Sequence, residues 1–213
     1  MNLGGCKVTT KKWVRLFFTT LFIGGFVTAV VSFFVKPESY TAYLDPFNMW
    51  EIFGAIIWFM AMGFTFSVIS QMGFFAYLML NQLGLAMFRS MWNPIQVFLI
   101  LFTLFDLVYF RYIGAEGNVS LFPYVITALV IFVYGLAVSY VKAKETSQKA
   151  FVPALFFMVV ITVIEWVPGL RTNDPDWILL MIAALLASNT YQLLILHRLV
   201  KTDEDQAETA KQS

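Results

Sequence analysis

Long apolar runs alternate with short polar segments along this chain, and the runs have the length of membrane-spanning helices. A helix needs about 20 mostly apolar residues to cross a bilayer. Prolines mark several ends of the runs, because proline lacks the amide that a helix interior needs. Pro37 follows the first run, Pro94 opens the third, and Pro168-Gly169 is expected to break the fifth. The pattern predicts six spans: residues 16–35, 49–70, 94–111, 121–141, 151–167 and 177–199.

Two segments between the predicted spans need an interpretation of their own. Residues 37–48 are predicted to form a polar loop with interfacial aromatic side chains. Residues 71–92 are apolar enough for a seventh span, but nothing between Ser70 and Gln71 is typical of a hairpin. We therefore predict that the second helix continues, bent near Gly73, towards Leu80, and that residues 81–91 lie along the membrane interface.

The distribution of basic residues predicts the orientation of the spans. Lysine and arginine accumulate on the cytoplasmic side of membrane proteins. With six spans, three of the 14 basic residues fall on one side, namely Lys36, Arg111 and Arg171. The remaining eleven fall on the other side: Lys7, Lys11, Lys12, Arg15, Arg89, Lys142, Lys144, Lys149, Arg198, Lys201 and Lys211. A seventh span would move residues 142–149 to the opposite side and remove this asymmetry.

The predicted architecture is therefore an all-α, six-helix transmembrane bundle in the cell membrane, with both termini in the cytoplasm. Residues 1–15 form a cytoplasmic N-terminal segment and residues 16–199 form the bundle. Residues 200–213 are rich in charged and amide side chains and are predicted to be a disordered cytoplasmic tail.

Composition excludes several other classes of protein. Hydrophobic residues make up 60% of the chain and charged residues 13%, against about 45–50% and 25% in soluble proteins. Together with a mean hydropathy of +0.75, these values exclude a soluble enzyme and a disordered chain. The net charge of +1 gives no argument for nucleic acid. A single cysteine, Cys6, excludes an internal disulfide and a cysteine-based metal site.

Charged residues inside the predicted spans are the first candidates for a functional site, because a buried membrane charge needs a partner or water. Asp106 precedes Arg111 by five residues, and Glu165 precedes Arg171 by six. Five residues turn a helix by about 140°, so Asp106 and Arg111 do not share a face. Pairing across helices, Asp106 with Arg171 or Glu165 with Arg111, is easier. Such pairs would lock the bundle, or they would line an outward-facing polar pocket that binds a ligand.

Amide side chains within the spans have two possible roles. Gln71, Asn189 and Gln192 lie in apolar surroundings in the sequence. Side-chain amides in membranes most often form hydrogen bonds between helices, and less often a substrate site. We therefore expect these three residues to connect helices.

A group of small residues lies on the first span. Gly24, Gly25, Thr28 and Ala29 form two overlapping pairs with a spacing of four residues. This spacing permits close approach of two helices, inside the bundle or against a partner protein.

No arrangement typical of an enzyme is found. The chain has one histidine, His197, beside Arg198 at the predicted cytoplasmic edge. A serine protease needs a buried histidine to activate its nucleophile, and a zinc protease needs several histidine or acidic ligands on facing helices. We predict no catalytic residue, no metal and no cofactor.

Several stretches of the sequence resemble the KbaA family, the KinB-signalling pathway activation proteins of sporulating Bacillus-type bacteria. One is Trp-Val-Arg-Leu-Phe-Phe-Thr-Thr-Leu-Phe-Ile-Gly-Gly at residues 13–25, and another is Asn-Thr-Tyr-Gln at residues 189–192. The resemblance extends from residue 13 to about 199 and includes residues 66–78, 105–112, 148–171 and 196–199. Residues 1–11 depart from the family pattern.

The resemblance implies a polytopic membrane protein that activates a sporulation sensor histidine kinase. The partner would be a KinB-like membrane kinase, contacted within the lipid bilayer through helix–helix interaction. The alternative is a small-molecule-binding membrane subunit, such as the substrate-capture subunit of a vitamin transporter. A capture subunit should have a deep cavity lined by tryptophan and polar groups, whereas an interaction protein should have a tight core.

Overall fold

The computed structural model describes residues 10–42, 48–114, 122–172 and 174–212, and within these ranges the chain is helical without a strand. This confirms the predicted all-α class. Short 3-10 turns, Arg89–Met91 and Gln148–Ala150, precede α4 and α6, and a π-helical segment, Phe157–Ile161, joins α6 to α7. The α-helices are α1 (Thr10–Val35), α2 (Glu38–Thr41), α3 (Met49–Phe88), α4 (Trp92–Gly114), α5 (Phe122–Glu145), α6 (Phe151–Phe156), α7 (Thr162–Leu170) and α8 (Pro175–Gln212).

Five helical stretches of the described chain are long and apolar enough to cross a membrane: Lys11–Val35, Met49–Tyr109, Tyr124–Glu145, Gln148–Leu170 and Pro175–His197. The stretch Met49–Tyr109 has 61 residues and includes both α3 and most of α4. As one straight helix it would be about 90 Å long, three times the thickness of the hydrocarbon core. The number of six spans stays a prediction.

The chain reverses direction between α3 and α4. The indole Nε1 of Trp92 donates a hydrogen bond of 2.9 Å to Oδ1 of Asn81, and Nε2 of Gln96 donates to the same oxygen at 3.3 Å. Eleven residues of straight helix would separate positions 81 and 92 by about 16 Å. Arg89, in the intervening turn, has a φ of 45°, in the left-handed region that commonly ends a helix. The first turns of α4 therefore fold back on the last turns of α3.

Some predicted boundaries differ from the structure. Residues 81–88 are not a separate interfacial segment but the last turns of α3, because no helix breaker precedes Arg89 and Asn81 is bonded to α4. Pro168 and Gly169 do not break the fifth run; α7 includes both and ends at Leu170. A proline in the last turn removes only one helical hydrogen bond.

Two predicted polar segments contain helix. The short helix α2 lies within the predicted loop of residues 37–48. The backbone of α8 also continues as helix to Gln212, within the predicted tail of residues 200–213. Alanine, glutamate, glutamine and lysine, which are frequent in this tail, all favour helix.

The chain divides into two compact units, with one boundary inside α3. Unit 1 consists of Met1–Gln71 and Thr172–Ser213, and unit 2 of Met72–Arg171. Unit 1 contains α1, α2, the first part of α3, and α8. Near its end α1 contacts Asp174 and Asp176 through Lys36, and near its middle it contacts Ser188 through Gly24. These contacts occur in opposite order along the two helices, so α1 and α8 are antiparallel.

Unit 2 is built around Gln148–Leu170, the stretch that contains α6, the π segment and α7. Of the most apolar 18 residues in this stretch 67% are buried, against 22–44% of the corresponding residues in the other four apolar stretches. It packs against α4 and α5. On the α3 side Phe157 lies with its ring centroid 4.9 Å from that of Tyr77 and 5.6 Å from that of Phe74. The hydroxyl of Tyr77 donates a hydrogen bond of 3.1 Å to the carbonyl of Pro153.

Candidate functional site

One face of α1 carries a small residue at every fourth position. Thr20, Gly24, Thr28 and Ser32 are all buried. The hydroxyls of Thr20 and Thr28 each donate a hydrogen bond of 2.8 Å to a carbonyl four residues earlier in the same helix. Their polar groups are therefore satisfied within α1, and the face stays thin enough for another helix to approach closely.

The helix that approaches this face is α3. A Cβ atom placed on Gly63 would lie 2.6 Å from the carbonyl oxygen of Gly24 and 2.7 Å from Cα of Gly25. Both distances are shorter than van der Waals contact, so position 63 has no room for a side chain. Thr28, the third of the predicted interaction residues, also touches this point, and Ala29 is buried beside it. The small-residue face of α1 is occupied within unit 1.

A hydrogen-bonded group of polar side chains connects α3 with α8 and includes two predicted site residues, Asn189 and Gln192. Ser70 Oγ donates to Asn189 Oδ1 at 2.6 Å, and Gln192 Nε2 donates to Ser70 Oγ at 2.7 Å. Ser67 Oγ lies 3.3 Å from Ser188 Oγ and 3.2 Å from the carbonyl oxygen of Thr20, where it donates to α1. We call Ser67, Ser70, Ser188, Asn189 and Gln192 the polar seam; each side chain is buried.

Gln71, the next predicted site residue, extends this connection between α3 and α1. Its Nε2 donates a hydrogen bond of 3.3 Å to the carbonyl of Phe17. Its Oε1 is buried and accepts no hydrogen bond from the part of the chain that the structure describes. The serines of the seam were missed from the sequence, because a serine in an apolar run gives no signal that distinguishes it from other small residues.

The four predicted charged residues are placed differently from one another. Glu165 is buried on α7, and its carboxylate lies directly against Gly73 of α3, where a Cβ atom would be only 2.6 Å from Glu165 Cδ. Asp106 is half-buried on α4, and Arg171, just after α7, is exposed. The side chain of Arg111 lies outside the described residues. Pairing of the two carboxylates with these arginines stays a prediction.

A charged cluster that the sequence did not predict lies where α1 ends and α8 begins. Lys36 Nζ is 3.9 Å from Asp174 Oδ2 and 3.6 Å from Asp176 Oδ2. Asp174 also caps α8, because its Oδ1 accepts the backbone N–H groups of Asp176 at 3.0 Å and Trp177 at 3.4 Å. The sequence Asp-Pro-Asp-Trp before an apolar run is a typical helix start, and this signal could have identified Asp174 as the cap of α8.

Beside this cluster is a cleft of about 450 Å³. Its walls include Lys36, Glu51, Trp58, Phe59 and Trp177, all in unit 1. Ligand sites commonly have volumes of about 300–1,000 Å³. The volume of the cleft lies in this range, and its walls include the tryptophan and polar groups expected of a small-molecule binder.

The described residues contain no group of three or more histidine, cysteine, aspartate or glutamate side chains placed to hold a metal ion. His197 is half-buried on α8. The predicted absence of catalytic residues, metal and cofactor stays a prediction.

The described residues form helices without a strand, and five helical stretches are apolar enough to cross a bilayer. These features define the class of protein as an all-α protein with helices of membrane-spanning length. Residues 24–199 match the model of the KbaA family, described as KinB-signalling pathway activation in sporulation. The match covers most of the chain, and the chain belongs to this family.

A relative from Bacillus subtilis (strain 168), the KinB-signaling pathway activation protein, is 43% identical over 186 residues. The alignment covers 86% of this chain and 94% of the relative. No solved structure matches the chain. The predicted resemblance to the family is confirmed.

Proposed function

We propose that this protein is an integral-membrane activator of a KinB-like sensor histidine kinase in the phosphorelay that starts sporulation. The observation that carries the proposal is the identity of 43% to a KinB-signaling pathway activation protein across nearly the whole of both chains. Activation would be non-catalytic. Binding shifts the kinase between two signalling arrangements, which requires a different affinity for each arrangement.

The contact with the kinase would be made by transmembrane helices on a face that the protein leaves open. The small-residue face of α1 is not open, because α3 and α8 occupy it. On the opposite side of α1, large apolar side chains recur every fourth residue and are exposed: Phe18, Phe22, Phe26, Val30 and Phe34. We call these five residues the phenylalanine row. It extends over about 24 Å of helix, close to the thickness of the hydrocarbon core.

We propose that the phenylalanine row packs against a transmembrane helix of the kinase. Rings as large and rigid as phenylalanine give extensive van der Waals contact, which is the main attraction between helices in lipid. A second exposed aromatic row on α4, including Phe98 and Phe102, serves as the comparison. The described part of this second row, residues 98–109, extends over about 16 Å of helix and is therefore shorter than the phenylalanine row.

The six-span arrangement with both termini in the cytoplasm is part of the proposal. It is supported by the basic-residue asymmetry of eleven to three. The reversal at Arg89–Met91 supports it as well, because it divides the 61-residue apolar stretch into two helices. Topology reporters fused after Lys149 and after Val200 should be active only as cytoplasmic markers. An external signal from either fusion contradicts six spans.

Genetics tests the activator role. Deleting the gene should abolish kinase-dependent sporulation transcription, and deleting both genes should give the phenotype of the kinase deletion alone. A double deletion with a stronger defect than the kinase deletion would show that the protein acts elsewhere.

Photocrosslinking tests the contact face. A photoreactive phenylalanine analogue placed at Phe22 or Phe26 should crosslink to the kinase in cells. The same analogue at Phe98 or Phe102, which are exposed to a similar degree, is the matched control. Crosslinking from α4 alone would assign the contact to that helix and remove the phenylalanine row from the mechanism.

A further inference from the structure

The cleft in unit 1 has walls of a particular chemistry. Trp58, Phe59 and Trp177 present three aromatic rings, and Glu51 adds a carboxylate. Two of the rings are held in place from behind. Phe59 lies 5.9 Å from the ring of Tyr40, and Trp177 meets the ring of Phe66 edge-on at 5.4 Å. The rings of Phe59 and Trp177 are therefore supported by neighbouring rings of the protein itself.

The charge around the cleft is negative, although a lysine lines it. Both Asp174 and Asp176 face the ammonium group of Lys36 at 3.6–3.9 Å. With Glu51 the group contains one positive and three negative side chains, so its formal charge is negative by two. Glu51 is an exposed residue and makes no ion pair with the described residues. The lysine is thus already compensated and does not favour an anion.

The cleft also has free space at a defined point. A Cβ atom built on Gly54 would have no heavy atom within 4 Å, although Gly54 lines the cleft. This contrasts with Gly63 on the same helix, where backbone atoms lie within 2.7 Å. A side chain at position 54 would enter the cleft without disturbing the helix packing.

We propose that this cleft binds an organic ammonium group, with the apolar part of the ligand resting on Trp58 and Trp177. Aromatic faces attract ammonium groups electrostatically, and cages of aromatic rings are the usual recognition site for quaternary ammonium. The carboxylate of Glu51 adds a Coulomb attraction to the same cation. The group could belong to a free amine or to the headgroup of an ethanolamine lipid. The inference is independent of the kinase, because it concerns a site on the purified protein.

The test uses the full-length protein in dodecyl maltoside, whose headgroup carries no charge, and benzyltrimethylammonium as the probe. Binding is followed by quenching of tryptophan fluorescence and by the shift of the thermal unfolding midpoint. Neopentylbenzene, which has the same shape without the charge, and phenylacetate, which is anionic, should bind more weakly. Phenylacetate binding more tightly than the cation would overturn the proposal.

Variants locate the site and determine the sign of its charge. Gly54→Leu should abolish probe binding while leaving the fold intact, and Ala61→Leu, at an exposed position of α3 outside the cleft, should leave binding unchanged. Glu51→Gln should weaken binding about two- to fivefold, and Lys36→Met should strengthen it by a similar factor. Retention of binding in Gly54→Leu, tighter binding in Glu51→Gln or weaker binding in Lys36→Met would overturn the assignment.

A variant of one aromatic wall tests the same site independently, in case Gly54→Leu does not fold. Trp58 is 65% exposed, so Trp58→Leu should fold normally and should weaken probe binding about two- to fivefold. Unchanged binding in this variant counts against the aromatic contact.

Nanodiscs then distinguish the two sources of the ammonium group. Probe binding that weakens when phosphatidylethanolamine replaces a neutral glycolipid, in nanodiscs with a fixed fraction of phosphatidylglycerol, identifies the lipid headgroup. Equal binding in both bilayers identifies a free amine.

Discussion

The two units hold apolar helices together by different means. In unit 1, α1, α3 and α8 meet through small residues and hydrogen bonds, with the Ser70 hydroxyl joining Asn189 and Gln192 at 2.6 and 2.7 Å. In unit 2, α3 meets the π segment through aromatic rings, with Phe157 fully buried between Phe74 and Tyr77. Lipid is as apolar as leucine, so burial alone does not bring helices together in a bilayer. Close backbone approach with hydrogen bonds and tight ring packing are two solutions to this problem.

Hydrogen bonds and steric packing are expected to contribute different amounts to the stability of the two units. Interhelical hydrogen bonds in membranes contribute about 0.6 kcal/mol on average, because the separated helices also find polar partners. A cavity, or a side chain forced between two close backbones, changes many van der Waals contacts at once. We therefore expect the stability of unit 1 to depend more on the steric fit at its glycines than on the hydrogen bonds of the polar seam.

The largest effect is expected from Gly63→Leu in unit 1. The added side chain would meet the backbone of α1 at Gly24 and Gly25, which cannot move without separating the helices. We expect destabilisation by about 3 kcal/mol or more and loss of monodisperse protein in dodecyl maltoside by size-exclusion chromatography. Gly54→Leu on the same helix, in open space, is the control and should behave as the native protein. Normal recovery of Gly63→Leu would show that α1 and α3 are not held at this distance.

An intermediate effect is expected from Phe157→Ala in unit 2. Its side chain is fully buried, so truncation leaves a cavity in the aromatic core. In lipid the cavity term remains while much of the transfer term is absent, and we expect about 2 kcal/mol. Unfolding in mixed dodecyl maltoside and dodecyl sulfate, followed by circular dichroism, measures the change. Phe102→Ala, at a ring that is 52% exposed, should cost much less; equal losses would contradict a packed core around the π segment.

The smallest effect is expected from Ser70→Ala in the polar seam. The substitution removes the hydrogen bonds to Asn189 and Gln192, and we expect a loss of about 1 kcal/mol in the same unfolding assay. Thr65→Ala is the matched control, because Thr65 is exposed and bonds only to the carbonyl of Ala61 in its own helix. A loss in Ser70→Ala as large as that of Phe157→Ala would remove the distinction between the two units.

The helices were predictable from the sequence largely because hydropathy is a local property. The first predicted run ends at Val35, as α1 does, and the second begins at Met49, as α3 does. The continuation of the second helix to Leu80 was predicted, but its last turns to Phe88 were not, because an amphipathic interfacial segment and the end of a helical hairpin have similar sequences. The hydrogen bonds from Trp92 and Gln96 to Asn81 distinguish the two, and they join residues 11 and 15 positions apart.

In the candidate sites, too, the sequence indicated single residues but not the contacts between residues far apart in the chain. Gln71, Asn189 and Gln192 were selected because an amide in an apolar run is conspicuous, and the structure places all three in contacts between helices of unit 1. The ion pairs of Lys36 were not foreseen, because Asp174 and Asp176 follow it by about 140 positions. Nothing in a single sequence indicates that the end of one helix lies beside the start of another.

Composition and hydropathy were thus enough to predict long apolar helices and the helical class, and short stretches of sequence carried the resemblance to the family, since each of these depends on residues close together in the chain. The packing of helices that are distant in sequence decided which face of α1 is buried. It also decided that the space beside Gly63 is filled by α1 and that the space beside Gly54 is open. Both positions are glycine in the same helix, and a sequence does not distinguish them. Only the neighbouring backbone does, because steric contact extends over a few ångströms and is independent of chain distance.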